Sequence, residues 1–482
     1  MSNSVVGRFL KSIFWSASEQ IVFMVLSIVQ LSITSRLLSP LDFGIYAIAM
    51  FFSTLGFTAF AMGLGPALIQ KCGDISSYYN TTWTISFVVA LVASVILGVL
   101  SPFICNYYFD SPESVLPSIV MLSTIILNAT TNPKIILFLK ELNFQKQFYL
   151  RVLPRLLSFT MVIICAYILN SYWGLIIAVL FESVFRFFYS YIILPYRPKF
   201  DFEKCKFKEL YSFGGWLQLK NIVNWLVSNV DVAIVGNVLG TVELGFFNRA
   251  QSISSIPKTL VNSVVDTVAF PLYSLLQDDD ITFSKAANII LDLSQCIVSY
   301  VIVMIVLFGG NVIELVLGEQ WMNLTMPFVI LVIAYACQSL LFSFNPIIRS
   351  RGLTKYEFWF YMIKFGVMVV ALYPMAKLYG LIGVSVAILL AVFISTPVML
   401  AIIRRKTFFK LTHFVKSFFF SLLIILLTIL IGKLILPKTA NLIWIVYALG
   451  ISFIFLLLLV IFAFFKIGYG ANIQYALRLY NR

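Results

Sequence analysis

The sequence predicts an all-α integral membrane protein with about fourteen transmembrane helices. Three observations carry that reading. Of the 482 residues, 61% are apolar, against roughly 45–50% in a soluble domain. Only 11% are charged, where about 25% is usual, so a soluble fold of this size would lack polar surface to cover itself. Finally, apolar runs recur from end to end with no polar domain between them, although the length would suit about three soluble domains. Disorder, a collagen-like fibre and a disulfide scaffold are excluded by the same composition.

A hydrocarbon core about 30 Å thick needs around 20 mainly apolar helical residues. The first such run, 13–38, follows Arg8 and Lys11 and lacks a small-residue cleavage site, which makes it an uncleaved span and not a signal peptide. Charge and turn residues then delimit 43–69, 80–101, 115–138, 148–169 and 171–194. After a basic stretch follow 211–238, 246–276, 286–308, 325–348, 357–376 and 380–403, and last come 414–436 and 441–465. Two links are short, at 170–172 and 377–380. Trp and Tyr near them mark interfacial helix ends, which favours two helices over one at each place.

With 34 Lys+Arg against 20 Asp+Glu, the chain carries a formal charge of +14. A nucleic-acid binder clusters such charge on a soluble face. Here it lies in the short gaps between apolar runs, so nucleic acid is not an expected partner. Alternating the gaps puts 25 of the 34 basic residues on one side, which the positive-inside rule assigns to the cytoplasm. An even number of spans places both termini there. The six cysteines show no CxxC or metal-ligand spacing, and only Cys105 falls in a predicted outer loop. Neither a disulfide nor a metal site is expected.

The sequence repeats itself at an offset of 201 residues. Trp15-Ser16-Ala17-Ser18-Glu19-Gln20-Ile21 falls on Trp216-Leu217-Gln218-Leu219-Lys220-Asn221-Ile222, and Leu38, Asp42, Gly44, Ile45-Tyr46 and Ala49 fall on Leu239, Glu243, Gly245, Phe246-Phe247 and Ala250. Helix, acidic residue, glycine and aromatic all keep register. Six spans separate the copies, so both run the same way through the membrane and are parallel repeats. This predicts two six-helix lobes around a central cavity, 1–200 (spans 1–6) and 201–405 (spans 7–12), with two C-terminal helices and a cytoplasmic tail in 406–482. Two-lobed parallel repeats are typical of alternating-access transporters.

Two further stretches carry a family resemblance. Arg36-Leu37-Leu38-Ser39-Pro40-Leu41-Asp42-Phe43-Gly44-Ile45-Tyr46 with Gly63-Leu64-Gly65-Pro66-Ala67-Leu68-Ile69-Gln70 resembles the opening of the polysaccharide flippases in the multidrug/oligosaccharidyl-lipid/polysaccharide exporter superfamily. In the second copy, Leu244-Gly245-Phe246-Phe247-Asn248-Arg249-Ala250-Gln251 and Phe270-Pro271-Leu272-Tyr273-Ser274-Leu275-Leu276-Gln277-Asp278-Asp279 look like the corresponding family segment. The resemblance implies a flippase that moves a lipid-linked (undecaprenyl-pyrophosphate) oligosaccharide from the cytoplasmic to the outer leaflet of a bacterial inner membrane, for O-antigen, capsule or exopolysaccharide. It implies no bound cofactor, coupling to a proton or sodium gradient, and work alongside glycan polymerase machinery. The task suits the architecture, because a pyrophosphate and several sugars cannot cross hydrocarbon without groups to replace their lost hydration.

Charges inside the membrane cost at least about 2.5–3.5 kcal/mol each on insertion scales and mark function or pairing. Lys220, Asn224 and Asp231 are spaced i, i+4 and i+11, within about 40° of one helix face. The repeat sets Glu19 against Lys220 and Gln30 against Asp231, giving the first helix a matching stripe. Lys220, Lys258, Lys364 and Arg249 are the candidate pyrophosphate contacts, and Glu19, Asp231 and Asp266 are candidate ion-coupling groups or pair partners. Gln30 and Asn224 complete the polar lining. Structural ion pairing is the competing reading for Lys220 and Lys364, and snorkelling to the headgroups competes for Arg249. Glu182 and Arg186, four apart, read as an intrahelical pair. Asp292 reads as reaching water, and His413 as ordinary.

An ion-coupled multidrug antiporter is the alternative function, since it shares the two-lobed plan. Its cavity favours acids, whereas the residues assigned to the membrane interior and not to either side are five basic (Arg186, Lys220, Arg249, Lys258, Lys364) against five acidic (Glu19, Glu182, Asp231, Asp266, Asp292). A membrane enzyme needs a large extramembrane loop or a catalytic cluster, and a non-transporting scaffold is the remaining alternative. No GxxxxGK[ST] phosphate loop occurs, so ATP hydrolysis is not expected here.

Overall fold

The computed structural model describes the backbone of residues 2–464 except 61, 72, 142, 277–278, 352, 408, 410 and 436–443. All regular structure among the described residues is helical. In chain order the helices are α1 (Ser2–Leu37), α2 (Pro40–Phe60), α3 (Leu64–Gln70), α4 (Tyr79–Phe103), α5 (Val115–Ala129), α6 (Ile136–Lys140), α7 (Phe144–Leu169), α8 (Trp173–Ile193), α9 (Lys204–Val238) and α10 (Thr241–Leu275). They continue as α11 (Asp280–Val316), α12 (Thr325–Phe342), α13 (Asn345–Ser350), α14 (Thr354–Lys406), α15 (Leu411–Ile435) and α16 (Trp444–Phe464). Ten stretches of the described residues are long and apolar enough to cross a membrane, and the protein is a multi-pass membrane protein.

At 53 residues α14 would be about 80 Å long if straight, far more than a bilayer's thickness. It reverses at Gly380, whose φ of 57° and ψ of −140° are non-helical. After the reversal the two halves touch: a Cβ on Gly383 would stand 1.9 Å from the Met375 carbonyl oxygen. The α7–α8 link turns in the same way. Asn170 caps α7 in the left-handed region (φ 44°), and a Cβ on Gly174 would stand 2.7 Å from the Ala166 nitrogen. Both short links read from the sequence as helix ends are therefore hairpins, each closed by a glycine at the crossing.

Three spans read as continuous are broken. The run 43–69 divides into α2 and α3, with Gly63 at φ 62° as the cap of α3. Its position is fixed by close packing, since a Cβ there would lie 2.5 Å from the Gly214 carbonyl oxygen on α9. The run 115–138 breaks at Asn132-Pro133, and 325–348 breaks at Asn345-Pro346, with proline in the first turn of the helix that resumes. Proline fits a first turn and not a helix interior. The two Asn-Pro breaks are 213 residues apart and the hairpin glycines Gly174 and Gly383 are 209 apart, near but not at the 201-residue offset of the sequence repeat.

By compactness the chain forms two units, Met1–Asn248 and Arg249–Arg482. In the first, α7 packs on α1 and α8, α5 on α2, α4 and α8, and α9 lies along α2 and α3. Its core holds Phe43, Phe52, Val162 and Ile176 without exposure. Trp225 of α9 donates from Nε1 to Thr54 Oγ1 (3.1 Å), and Gln218 donates to the Thr58 carbonyl. At one end of α9, Glu209 forms an ion pair with Lys71 and accepts from Tyr78 Oη (2.7 Å). Lys140 Nζ holds the same loop through the Lys71 and Gly73 carbonyls (2.9 and 3.0 Å).

The turns that open α2 and α10 display the repeat directly. A Cβ on Gly44 would stand 1.9 Å from the Thr241 carbonyl oxygen, and one on Gly245 would stand 1.7 Å from the Pro40 carbonyl oxygen. Pro40 and Thr241 are 201 residues apart, as are Gly44 and Gly245. The contact is reciprocal.

In the second unit, α12 packs on α11 and α14, α15 on α11, and α16 on α11 and α15. A core of Tyr273, Phe283, Phe344, Ile347, Met399 and Ile403 joins α10 to α14. Polar side chains fix α15 to α11: Ser421 Oγ donates to Gln295 Oε1 (3.3 Å), and His413 Nε2 lies 2.9 Å from Asp292 Oδ2. Asp292 therefore does not reach water as the sequence indicated. It is 2% exposed, because its imidazole partner comes from a helix 121 residues further on.

Candidate functional site

In the first unit a row of arginines on α7 joins α1 to α8. Arg151 and Arg155 are four residues apart and so share a face. Arg151 NH1 donates to Glu19 Oε1 of α1 at 2.6 Å, and Arg155 NH1 to Glu182 Oε2 of α8 at 3.3 Å. Arg186 shares the Glu182 carboxylate through its other oxygen. Three guanidinium groups thus meet two carboxylates, which leaves the group one positive charge in excess. Glu19 is buried while the Arg151 side chain is half exposed. Removing Arg151 leaves the buried Glu19 carboxylate without this partner, whereas removing Glu19 leaves a guanidinium that is already half exposed, so the loss of the carboxylate is the milder change. Sequence reasoning recognised Glu19, Glu182 and Arg186 but counted Arg151 and Arg155 as topology charges. Their i, i+4 spacing inside an apolar run was the signal for pairing.

On α9, Lys220 is half-buried, Asn224 exposed and Asp231 buried. Asp231 Oδ1 accepts from the Val232 backbone N–H at 2.8 Å. Gln30 on α1 is half-buried, and its carbonyl accepts from Thr34 Oγ1 at 2.7 Å.

The second unit holds a small polar pocket. It is lined by Lys258 and Asn262 of α10, Gln338, Leu341 and Phe342 of α12, Asn345 of α13, and Phe360 and Tyr361 of α14, and encloses about 20 Å³. Lys258 Nζ lies 4.9 Å from the centre of the Tyr335 ring, whose hydroxyl accepts from Gln251 Nε2 (3.2 Å). Asn262 follows Lys258 by one turn and faces the same way. Lys364 stands three residues beyond Tyr361 on α14 and is only 4% exposed. Arg249 is buried at the start of the unit, which argues against the snorkelling reading. Asp266 belongs to α10, but its side chain lies outside the described residues.

The two Asn-Pro breaks differ in backbone and in side-chain pairing, since Asn132 caps its turn from a non-helical conformation (ψ 115°) and Asn345 is the first helical residue of α13. Asn132 is saturated: Nδ2 donates to the Ser190 and Leu194 carbonyls (3.1 and 2.6 Å), and Oδ1 accepts from the Lys134 N–H (3.0 Å). Asn345 is 1% exposed, its Nδ2 donates to Tyr361 Oη (3.2 Å), and its Oδ1 has no partner. The Asn262 Oδ1 is likewise buried without one. Buried acceptors are nearly always satisfied, and the cavity these two asparagines line has room for about one water-sized donor. Sequence reasoning singled out Lys258 and Lys364 as cations within apolar runs and did not single out Asn345, Gln338 or Tyr361, which carry no charge.

The remaining buried charge is structural in form. Arg349 grips Glu357 with two parallel hydrogen bonds (3.1 and 2.8 Å), and this pair locks α13 onto α14. Among the described residues no group of three His, Cys, Asp or Glu is arranged to hold a metal ion.

A multi-helix membrane fold with an internal parallel repeat and cations inside its bundles defines a transporter of hydrophilic or amphiphilic cargo. The chain belongs to the polysaccharide biosynthesis protein family, whose model matches residues 33–326. Among curated proteins it is similar to the lipopolysaccharide biosynthesis protein WzxC of Escherichia coli strain K12, 22% identical over 389 residues that cover 79% of this chain and 78% of WzxC. Its fold is similar to that of the lipid II flippase MurJ in an inward closed conformation, with a TM-score of 0.72, 17% identity, and coverage of 92% of this chain and 98% of MurJ. It is also similar to a multidrug-resistance transporter of the MOP superfamily in an inward-facing conformation, with a TM-score of 0.59, 14% identity, and coverage of 80% and 96%.

Proposed function

We propose that this protein is a flippase that carries a lipid-linked oligosaccharide from the cytoplasmic to the outer leaflet by alternating access, in the service of surface-polysaccharide synthesis. The family match over residues 33–326 carries this reading, and membership in a polysaccharide biosynthesis family favours it over a multidrug antiporter of the same fold. In this reading Lys220, Lys258, Lys364 and Arg249 hold the anionic pyrophosphate. Glu19 is the pair partner of Arg151, Asp231 and Asp266 serve ion coupling by a proton or sodium gradient, and Gln30 and Asn224 offer hydrogen bonds to the moving headgroup. The setting is the bacterial inner membrane, with both termini cytoplasmic and a glycan polymerase downstream.

The test is leaflet transfer of a polyprenyl-pyrophosphate sugar in vesicles containing the purified chain. A charge-assisted hydrogen bond is worth about 1.5–3 kcal/mol, so Lys220→Ala, Lys258→Ala and Lys364→Ala are each expected to slow transfer about tenfold or more. Full transfer by all three removes the cationic assignment. Drug efflux without lipid transfer replaces the flippase with the antiporter.

A further inference from the structure

A second cavity in the Arg249–Arg482 unit differs from the polar pocket in size and chemistry. It encloses about 280 Å³ and is lined by Cys337, Leu340 and Leu341 of α12, Phe393, Thr396, Pro397 and Leu400 of α14, and Phe414, Val415 and Phe418 of α15. Leu340, Leu341 and Phe414 form a buried floor, while Phe393 and Val415 are exposed, so the groove opens at the surface. Cys337, Thr396 and Pro397 are small, and they leave space between the rings of Phe393, Phe414 and Phe418. Pro397 also removes one rung of the α14 hydrogen-bond ladder where it borders the groove.

The rim has a charge. The groove residues of α14 follow the helical stripe 393, 396, 397, 400, and the next position of that stripe is Arg404, one turn or about 6 Å beyond Leu400. Arg405 is its neighbour, both are exposed, and among the described residues neither has an ion-pair partner. A long apolar slot ending at a guanidinium has the chemistry of a fatty acyl chain joined to a phosphodiester. Basic sites between helices at the membrane surface hold anionic lipid headgroups by the same attraction.

We propose that the groove between α12, the second half of α14 and α15 binds one anionic phospholipid, with an acyl chain between Phe393, Thr396, Pro397 and Phe418 and the headgroup phosphate on Arg404. The occupant is a resident lipid and not the transported one, because the groove's lining carries no charged side chain and shares only Leu341, an apolar wall residue, with the pocket around Lys258.

The test needs no transport. The full chain is placed in phosphatidylcholine nanodiscs doped with phosphatidylglycerol and extracted, and retained lipid is read by native mass spectrometry. Wild type is expected to keep one phosphatidylglycerol per chain. Thr396→Trp, which fills the slot, and Arg404→Ala are expected to lower that occupancy about fivefold, the equivalent of roughly 1 kcal/mol for one basic residue at the surface. Arg404→Lys is expected to restore it, and Leu378→Trp, exposed on the same helix, to leave it unchanged. Equal retention by wild type, Thr396→Trp and Arg404→Ala overturns the proposal. So does preferential retention of an added polyprenyl phosphate, which makes the groove a substrate site. Loss of flipping with lipid retention intact bears on the flippase reading alone.

Discussion

At the scale of single residues, the hydrogen bonds between Glu209, Lys71 and Tyr78 give the α9 end of the first unit a defined pH window. The Lys71 ammonium and the Tyr78 hydroxyl hold the Glu209 carboxyl below its ordinary range, and the Glu209 carboxylate holds Lys71 above the ordinary lysine value. A lowered carboxyl adds stability above its unfolded pKa and loses it as pH falls through the folded one; a raised lysine adds stability below its unfolded pKa and loses it as pH rises through the folded one. The clasp is complete across neutral pH. Glu209→Gln is expected to speed hydrogen exchange in 71–78 at neutral pH, and wild type and variant are expected to converge well below the ordinary glutamate range. Identical exchange at neutral pH would show the clasp to be idle. Sequence reasoning found Glu19, Lys258 and Lys364 because a charge in an apolar run is conspicuous. It missed the roles of Arg151, Arg155 and Asp292, because each depends on a partner brought near by folding and not by spacing.

At the scale of elements, the spans were legible because each must hold about 20 apolar residues. The breaks within the second, fourth and tenth were not, because composition stays apolar through them while the backbone changes at Met62-Gly63 and at the two Asn-Pro pairs. The repeat also predicts which glycines resist change. At Gly44 and Gly245 the opposing atoms are backbone carbonyls, which no rotamer can relieve. Gly245→Ala is expected to destabilise by about 1–3 kcal/mol, the cost of overpacking. Gly366→Ala on α14, with nothing within 4 Å of its Cβ position, is expected to be neutral or to stabilise by about 0.5–1 kcal/mol. Thermal unfolding in detergent compares the two, and an equal response would refute the close packing.

At the scale of the whole molecule, orientation rests on the distribution of Lys and Arg. Native Cys205 is exposed beside Lys204 and Lys206, and Met322 is exposed at the opposite end of a span. In a chain whose other cysteines are replaced, a membrane-impermeant maleimide is expected to label Cys205 only after the cells are permeabilised. Met322→Cys, in a background also lacking Cys205, is expected to react in intact cells. The reverse pattern would invert the topology.

The reciprocal contact of Gly44 with Thr241 and Gly245 with Pro40 also bears on ancestry. Two identical six-helix chains meeting across a two-fold axis would make both halves of that contact with a single glycine codon, as an isologous dimer does. Fusion into one gene keeps the geometry and releases the sequence. Thr241 has already parted from Pro40, and Asn345 keeps an acceptor open where Asn132 has closed its own. Letting equivalent positions take different side-chain partners is a freedom that a symmetric dimer lacks.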